Sequence, residues 1–260
     1  MTVDKMLIIP ESDKIDEYLE LAGRYGLGFE YNDFFNPKLL EDNKGLKDRI
    51  SEYKNRIGDN IKSTLHGAFY DIIVFSEDSK IREVSDFRVT QSINIARELS
   101  SEAVIFHTNY NPSLNFPWYR ENWIEKNSEY WHKKCAENTD INIYMENMFD
   151  DDPVLLRKLS EKMSDMPNFG VCFDYAHAHV FGDYKKVDEW VDMLSPYVKH
   201  IHINDNDFTK DSHEALGKGR IDWEHFAKLY NTRMQTASVL LEVSGTDKIK
   251  ESLSFVEKTL

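Results

Sequence analysis

The amino-acid sequence contains eight short apolar runs, and each has the length of a β-strand. Most are rich in Val, Ile and Phe, which is typical of strands buried on both faces of a parallel sheet. The runs are Met6–Pro10, Leu27–Tyr31, Ser63–Phe69, Ala103–His107, Ile141–Met148, Phe169–Tyr175, Val198–Asn204 and Ser238–Val243. The pattern predicts a chain built on eight parallel strands.

Amphipathic segments with helical spacing lie between these runs, as in Val187, Trp190, Val191 and Leu194. Strands that alternate with helices favour the α/β class, and eight such units predict a (β/α)₈ TIM barrel that forms a single domain over residues 1–260. The alternative is an open doubly wound sheet, which usually carries a Gly-rich turn after its first strand. The sequence at that place, residues 9–12, reads Ile-Pro-Glu-Ser and has no glycine.

The chain has a net charge of −14 and two cysteines, Cys135 and Cys172. The excess of acidic residues leaves no broad basic face for a nucleic-acid backbone, which argues against nucleic acid as a partner. A metal cluster can supply local positive charge, so nucleic acid is not excluded. Few cysteines suit a reducing compartment, and no apolar stretch is long enough for a signal peptide or a membrane span. We expect a cytoplasmic protein without a membrane partner. The outer helices of barrels often pair between subunits, so a homo-oligomer is also possible.

Residue types that bind metal follow six consecutive predicted strands, at the end of the barrel where active sites of this fold lie. A carboxylate inside a barrel must be paired, hydrogen-bonded or metal-bound, because a bare buried charge is very costly. Carboxylate oxygen and imidazole nitrogen are ligands for Mn, Zn, Co and Mg. The candidates are His66, His107, Glu146, Asp174, His177, His202, Asp211, His213 and Glu242. The sequence therefore predicts a site for divalent metal.

Several short motifs resemble the xylose isomerase-like barrel superfamily, which includes sugar isomerases, sugar epimerases and endonuclease IV (AP endonuclease family 2). They are Glu146–Asn147, Asp174–His177, His202–Asp205, Asp211–His213, Gly217–Trp223 and Leu241–Glu242. Their order along the chain also matches, and the resemblance covers nearly the whole chain. The resemblance implies an enzyme and leaves two reaction classes open.

The resemblance to sugar isomerases and epimerases implies one divalent metal, held by Glu146, Asp174, His202 and Glu242. It implies that a sugar or sugar phosphate is converted through a metal-stabilised enediolate, with Glu146 and Glu242 as the acid–base pair. His66 and His107 would then hydrogen-bond substrate hydroxyls.

Three further residues are candidates for substrate binding. Trp118, expected in a loop over residues 111–120, could stack on a sugar ring or anchor the loop. Lys218 and Arg220 lie in a Gly-flanked loop before a predicted helix at Asp222, which makes them a candidate phosphate site. The alternative is an ordinary turn whose glycines supply the backbone geometry and whose aspartate caps the helix.

The resemblance to endonuclease IV implies instead up to three zinc ions and a phosphodiesterase that acts on abasic DNA or another phosphoester. Each of the nine ligands of that family has a matching residue, namely the nine candidates given above. The N-terminal region differs from that family, because Asn32–Phe35 stands where a basic DNA-contacting segment is expected. The sequence thus favours the sugar enzymes over the phosphodiesterase. A barrel that binds metal or sugar without catalysis is a third alternative, but no expected core ligand is missing.

Overall fold

Eight parallel strands close into a barrel in the computed structural model, which describes residues 3–58, 61–114 and 116–259. The strands are β1 (Met6–Ile8), β2 (Gly28–Tyr31), β3 (Ser63–His66), β4 (Ala103–His107), β5 (Asn142–Glu146), β6 (Phe169–Asp174), β7 (Val198–Ile203) and β8 (Ser238–Leu241). Each pairs with the next in sequence, and β8 pairs with β1 through Met6 and Val239. The predicted (β/α)₈ barrel is confirmed.

Helices surround the barrel and cover its outer apolar face. They are α1 (Ile15–Tyr25), α2 (Pro37–Glu41), α3 (Asn43–Ile57), α4 (Ser79–Glu98), α5 (Pro117–Glu137), α6 (Val154–Lys162), α7 (Tyr175–Val180), α8 (Val187–Leu194), α9 (Trp223–Leu229) and α10 (Thr246–Thr259). Buried tryptophans carry much of this packing: Trp131 lies on Phe106 of β4, with ring centroids 5.2 Å apart, and Trp190 stacks on Phe173 of β6. Truncating either to alanine should cost about 3–5 kcal/mol of stability.

Among the described residues, no helix has the length and apolar character that a bilayer crossing requires.

Several element boundaries differ from the sequence-based expectation. β3 ends at His66 rather than Phe69, and β8 ends at Leu241, so Glu242 is the first residue beyond the strand. The expected loop over residues 111–120 is wrong in its second half, because α5 begins at Pro117 and places Trp118 in its first turn. Proline suits that position, since its fixed φ matches a helix and its missing N–H is not needed there.

The register of the sheet places ligand-type residues at one level of the barrel. His107 pairs with Glu146 across β4 and β5, and Asp174 pairs with His202 across β6 and β7. Side chains alternate along a strand, so residues two apart point to the same side. The polar residues of neighbouring strands therefore meet in the barrel interior near its C-terminal end.

Candidate metal centre

The nine predicted ligands lie together as three adjoining groups of three, which we call the first, second and third triads. In each triad one ligand atom per residue lies within 4.8 Å of the other two. The first triad is His66, His107 and Glu146; the second is Asp174, His202 and Glu242; the third is His177, Asp211 and His213. The structure thus brings all nine side chains to one place.

The first triad comes from the ends of β3, β4 and β5. His66 Nε2 lies 3.1 Å from His107 Nε2 and 3.4 Å from Glu146 Oε2, and His107 Nε2 lies 3.5 Å from the same oxygen. Ligand atoms held roughly 2.0–2.1 Å from a tetrahedral zinc ion are about 3.3 Å from one another. The spacing in the first triad therefore fits a metal ion.

The second triad joins the first through Glu146. His202 Nδ1 lies 3.4 Å from Glu146 Oε2 and 3.6 Å from Glu242 Oε2, again the spacing of ligands around one ion. Asp174 ends β6, and its Oδ1 accepts a hydrogen bond of 2.5 Å from the His177 backbone N–H in the first turn of α7. This bond orients the aspartate and leaves Oδ2 for the centre.

The third triad lies nearer the rim. Asp211 Oδ2 is 2.8 Å from His213 Nε2 and 3.3 Å from His177 Nε2. The other nitrogen of each imidazole faces a backbone carbonyl, since His177 Nδ1 lies 2.9 Å from Asn147 O and His213 Nδ1 lies 2.8 Å from Glu242 O. A carbonyl that accepts from Nδ1–H leaves the Nε2 lone pair for a metal, which is the usual support of a metal-binding histidine.

The electrostatics of the centre also fit a cation. Glu146 Oε2, Asp174 Oδ2, Asp211 Oδ1, Glu242 Oε2 and His202 Nδ1 are buried, and none has a hydrogen-bond partner within the described residues. Burial raises the pKa of Asp174 well above its usual value, and the charges of Glu242 and Glu146 add to the rise although His177 opposes it. Buried polar atoms are normally satisfied. Divalent metal would satisfy these atoms, so the residues fit the predicted cofactor.

A cavity of about 780 Å³ opens beside the first triad and reaches His107. Phe69 stacks on the His107 ring with centroids 4.9 Å apart. The described lining contains Asp71 but neither lysine nor arginine, and its aromatic members are Phe69, Tyr70, Tyr110, Phe149 and Phe181. We call this cavity the aromatic cleft. Its chemistry suits an uncharged or ring-shaped part of a substrate.

The other residues predicted to bind substrate lie elsewhere. Trp118 is 59% exposed and stacks on Phe116, Lys218 pairs with Glu251, and the Arg220 guanidinium lies 5.0 Å from the Phe208 ring centroid. None of the three lines the aromatic cleft. Their roles in substrate binding therefore stay predictions without support from their positions.

The Gly-flanked loop has a structural explanation that needs no phosphate. The buried Asp205 carboxylate accepts from Gly217 N at 2.8 Å and from Trp223 Nε1 at 2.9 Å. A Cβ on Gly219 would collide with Asp205 and the Asn206 backbone, so only glycine fits there. Asp222 caps α9 by accepting from His225 N at 2.9 Å, as the alternative reading expected.

Glu30 was missed by the sequence reasoning. It lies on β2, is fully buried, and its carboxylate is 3.2 Å from both His200 Nε2 and His202 Nε2. The available signal was a lone carboxylate within an otherwise apolar run, Leu27–Tyr31. A buried charge of that kind needs partners, and here they come from the neighbouring strand β3 and, across the barrel, from β7.

Comparison with known proteins assigns the family. The model of the xylose isomerase-like TIM barrel family matches residues 21–259, and the chain belongs to that family. Uncharacterized protein MJ1311 of Methanocaldococcus jannaschii is 26% identical over 235 residues, covering 85% of this chain and 75% of that protein. A Petrotoga mobilis protein named "Probable endonuclease 4" is 26% identical over 234 residues, covering 82% and 79%. The crystal structure of a D-tagatose 3-epimerase-like protein matches with a TM-score of 0.77 at 21% identity, covering 97% and 96%.

Proposed function

We propose that this member of the xylose isomerase-like barrel family is a divalent-metal-dependent hydrolase of phosphoesters. The observation that carries the proposal is the arrangement of nine ligand-type side chains as three adjoining triads around Glu146. A single-metal isomerase needs only the second triad and Glu146, which would leave the third triad without a purpose. Multinuclear centres are typical of enzymes that cleave phosphoester bonds. Similarity to proteins named as endonuclease 4 is consistent with this choice.

Glu146 and Glu242 are the proposed catalytic residues. Glu146 Oε2 faces the histidines of the first triad and His202 of the second, and Glu146 Oε1 lies 3.4 Å from His177 Nδ1, so one carboxylate contacts a residue of every triad. Glu242 Oε2 faces His202 in the second triad and would bind metal there, which places the Glu242 carboxylate next to the reacting groups as the proposed proton acceptor. Bound divalent metal would supply Lewis-acid stabilisation of phosphoryl charge and activation of water.

The aromatic cleft and the charge of the chain bear on the size of the substrate. Duplex DNA is normally held by many lysine and arginine contacts to phosphates, and the described cleft lining has none of these residues. The net charge of −14 would also repel a polyanion. We therefore propose a small phosphoester whose organic part packs against the aromatic side chains.

A sugar isomerase or epimerase is the second candidate, and the same cleft is the observation that favours it. Asn109 and Asn111 lie among the aromatic lining residues and suit the hydroxyls of an uncharged sugar. In that case Glu146 and Glu242 would be the acid–base pair, as expected from the sequence.

Metal content and substrate turnover together test the proposal. Elemental analysis of protein purified without a chelator or a His-tag should give two to three zinc ions per chain. Bis(4-nitrophenyl) phosphate and an abasic-site DNA should be assayed beside a panel of ketoses and aldoses. One metal per chain with sugar turnover and no phosphoester cleavage would replace the hydrolase with the second candidate.

A matched pair of variants on one loop sharpens this test. Asp211→Asn removes a ligand of the third triad only, and Asp207→Asn changes an exposed aspartate four residues earlier, which bonds Thr209. Asp211→Asn should lower the metal count and abolish hydrolysis, whereas Asp207→Asn should change neither. An Asp211→Asn enzyme with normal phosphoester turnover would show that the third triad is not needed.

A further inference from the structure

Glu30 is a buried carboxylate just outside the nine predicted ligands. Its exposure is 0%, and it lies one layer below the triads along the barrel axis, facing β3 and β7. Thr64 Oγ1 donates to Glu30 Oε2 at 2.6 Å, and His200 Nε2 lies 3.2 Å from the same oxygen. The other oxygen, Oε1, is 3.2 Å from His202 Nε2. Because burying a charge is costly, these contacts must compensate for it, and they hold the carboxylate in one orientation.

His202 connects Glu30 to the metal centre. Its Nε2 lies 3.2 Å from Glu30 Oε1, and neither of these two buried atoms forms a hydrogen bond within the described residues at the angles the structure gives them, so each is left for the other to satisfy. Its Nδ1 faces the opposite way, toward Glu146 and Glu242. A histidine that gives one nitrogen to a metal carries its proton on the other, and a carboxylate that accepts this proton fixes both the tautomer and the angle of the ring.

Three of the other four histidines of the centre do not need such a carboxylate. Nδ1 of His66, His177 and His213 lies within 3.1 Å of a backbone carbonyl, which supports those rings from the main chain. The second nitrogen of His202 faces a side chain instead. Of these four rings, His202 is therefore the one whose orientation depends on a replaceable side chain.

His200 is the third residue that contacts the Glu30 carboxylate, and it lies in the same layer as Glu30. Its Nδ1 lies 2.7 Å from Ser238 Oγ on β8, and its Nε2 faces Glu30, so both ring nitrogens are engaged. Cys172, His200 and His202 also lie close enough together to hold a metal ion. Because both ring nitrogens of His200 already have partners, His200 is a partner of Glu30 and not a metal ligand.

We propose that Glu30 is a positioning residue, which accepts the Nε2–H of His202 and thereby aims His202 Nδ1 at the second triad. Thr64 and His200 hold Glu30 in place for this task. The inference rests on the metal centre of the proposed function, but not on the reaction that the centre performs.

Zinc affinity tests this role without any activity assay. Metal-free Glu30→Gln protein is titrated with Zn²⁺ in competition with a chelator, beside wild type and Asp150→Asn. Asp150 is the matched control, because it is equally buried and bonds Thr108 and Met148 rather than a predicted ligand. Loss of a carboxylate behind a histidine ligand typically costs about 10–100-fold in metal affinity. We expect that loss for one ion in Glu30→Gln, with the other ions and the control unchanged.

A ¹⁵N NMR spectrum of the histidine rings tests whether Glu30 accepts the His202 proton, because a general loss of stability would not change the His202 ring N–H signal. Wild type should show a slowly exchanging, strongly hydrogen-bonded Nε2–H of His202 whether or not zinc is bound, and Asp150→Asn should show it too. Glu30→Gln should shift or lose this signal. Thr64→Val, which keeps the carboxylate and removes one donor, should weaken zinc binding in the same direction but less, and it serves if Glu30→Gln does not fold.

The outcomes separate this role from the proposed function. Wild-type zinc affinity in Glu30→Gln, even with a lowered melting temperature, would overturn the positioning role and leave the hydrolase standing. A protein that binds zinc in a Glu30-dependent way but cleaves no phosphoester would leave the positioning role standing and overturn the hydrolase. A chain that binds no divalent metal would overturn both.

Discussion

Removing metal should lower the melting temperature of this protein strongly, because the three triads concentrate buried carboxylates. Asp174 shares one ligand group with Glu146 and another with Glu242, and each of the three has a buried oxygen without a hydrogen-bond partner within the described residues. Without a cation these groups repel one another and are deprived of water. An ion that binds only the folded chain stabilises it by mass action.

The size of the effect follows from the number of triads. Zinc at a hundred times its dissociation constant stabilises a protein by about 2.7 kcal/mol per site, so three sites give about 8 kcal/mol. A domain of roughly this size gains about 2–4 °C in melting temperature per kcal/mol, which predicts a rise of about 16–32 °C. A single site would give only about 5–11 °C. The two candidate functions thus predict separate ranges.

Differential scanning calorimetry of chelator-treated protein, with and without added ZnCl₂, measures this rise. The control is Asp211→Asn, which removes one triad and should keep about two-thirds of the wild-type rise. Comparing the zinc-induced rise within each protein cancels any effect of the substitution on the metal-free state. A wild-type rise of about 11 °C or less, or an equal rise in the variant, would refute the three-site reasoning.

Four further predictions follow from the same contacts. Glu146→Gln and Glu242→Gln should each abolish turnover in either reaction class, and a variant with near-normal rates would show that its residue is not catalytic. Asp205→Ala should remove the acceptor that ties down the loop of the third triad, costing at least about 1–3 kcal/mol and lowering the zinc count measured by elemental analysis. Burial raises the pKa of Asp150 to about 6, so the folded chain binds more protons there than the unfolded chain, and this carboxyl reduces stability as the pH rises from about 4 to 6. Asp150→Asn should therefore gain up to about 3 kcal/mol relative to wild type over that window in urea unfolding, and parallel curves would contradict this. Lys218→Ala should leave KM unchanged for small phosphoesters, and a selective rise would revive the phosphate-loop hypothesis.

The barrel and most of its site could be predicted from the sequence because both depend on local pattern. Ligand-type residues near the ends of six apolar runs identify the C-terminal ends of those strands, and a closed parallel sheet brings those ends together. His107 and Glu146 illustrate this, since His107 ends its run, Glu146 ends β5 and the two are register partners. Helix starts were less predictable: Trp118 follows a proline that begins α5, and proline favours turns as well as helix starts.

What the sequence could not supply is contact across the barrel. Glu30 and His200 are 170 residues apart and belong to strands that do not pair, so no local pattern joins them. The phosphate-loop hypothesis failed to gain support for a related reason. Gly217 donates a hydrogen bond to Asp205, which lies twelve residues earlier, and Gly219 leaves room for the Asp205 carboxylate. Nothing in the sequence of the loop indicates this partner.

Side chains alternate along a β-strand, and this alternation places polar residues directly beneath the predicted ligands. A strand that presents a ligand to the centre also presents the residue two positions earlier to the layer beneath it. Thr64 precedes His66 in this way, Cys172 precedes Asp174, and His200 precedes His202. Two of these lower residues contact Glu30, which β2 contributes to the same layer. In such a barrel, a polar residue two positions before a predicted ligand therefore indicates a buried polar partner on another strand. A lone carboxylate within an apolar run is the first candidate for that partner.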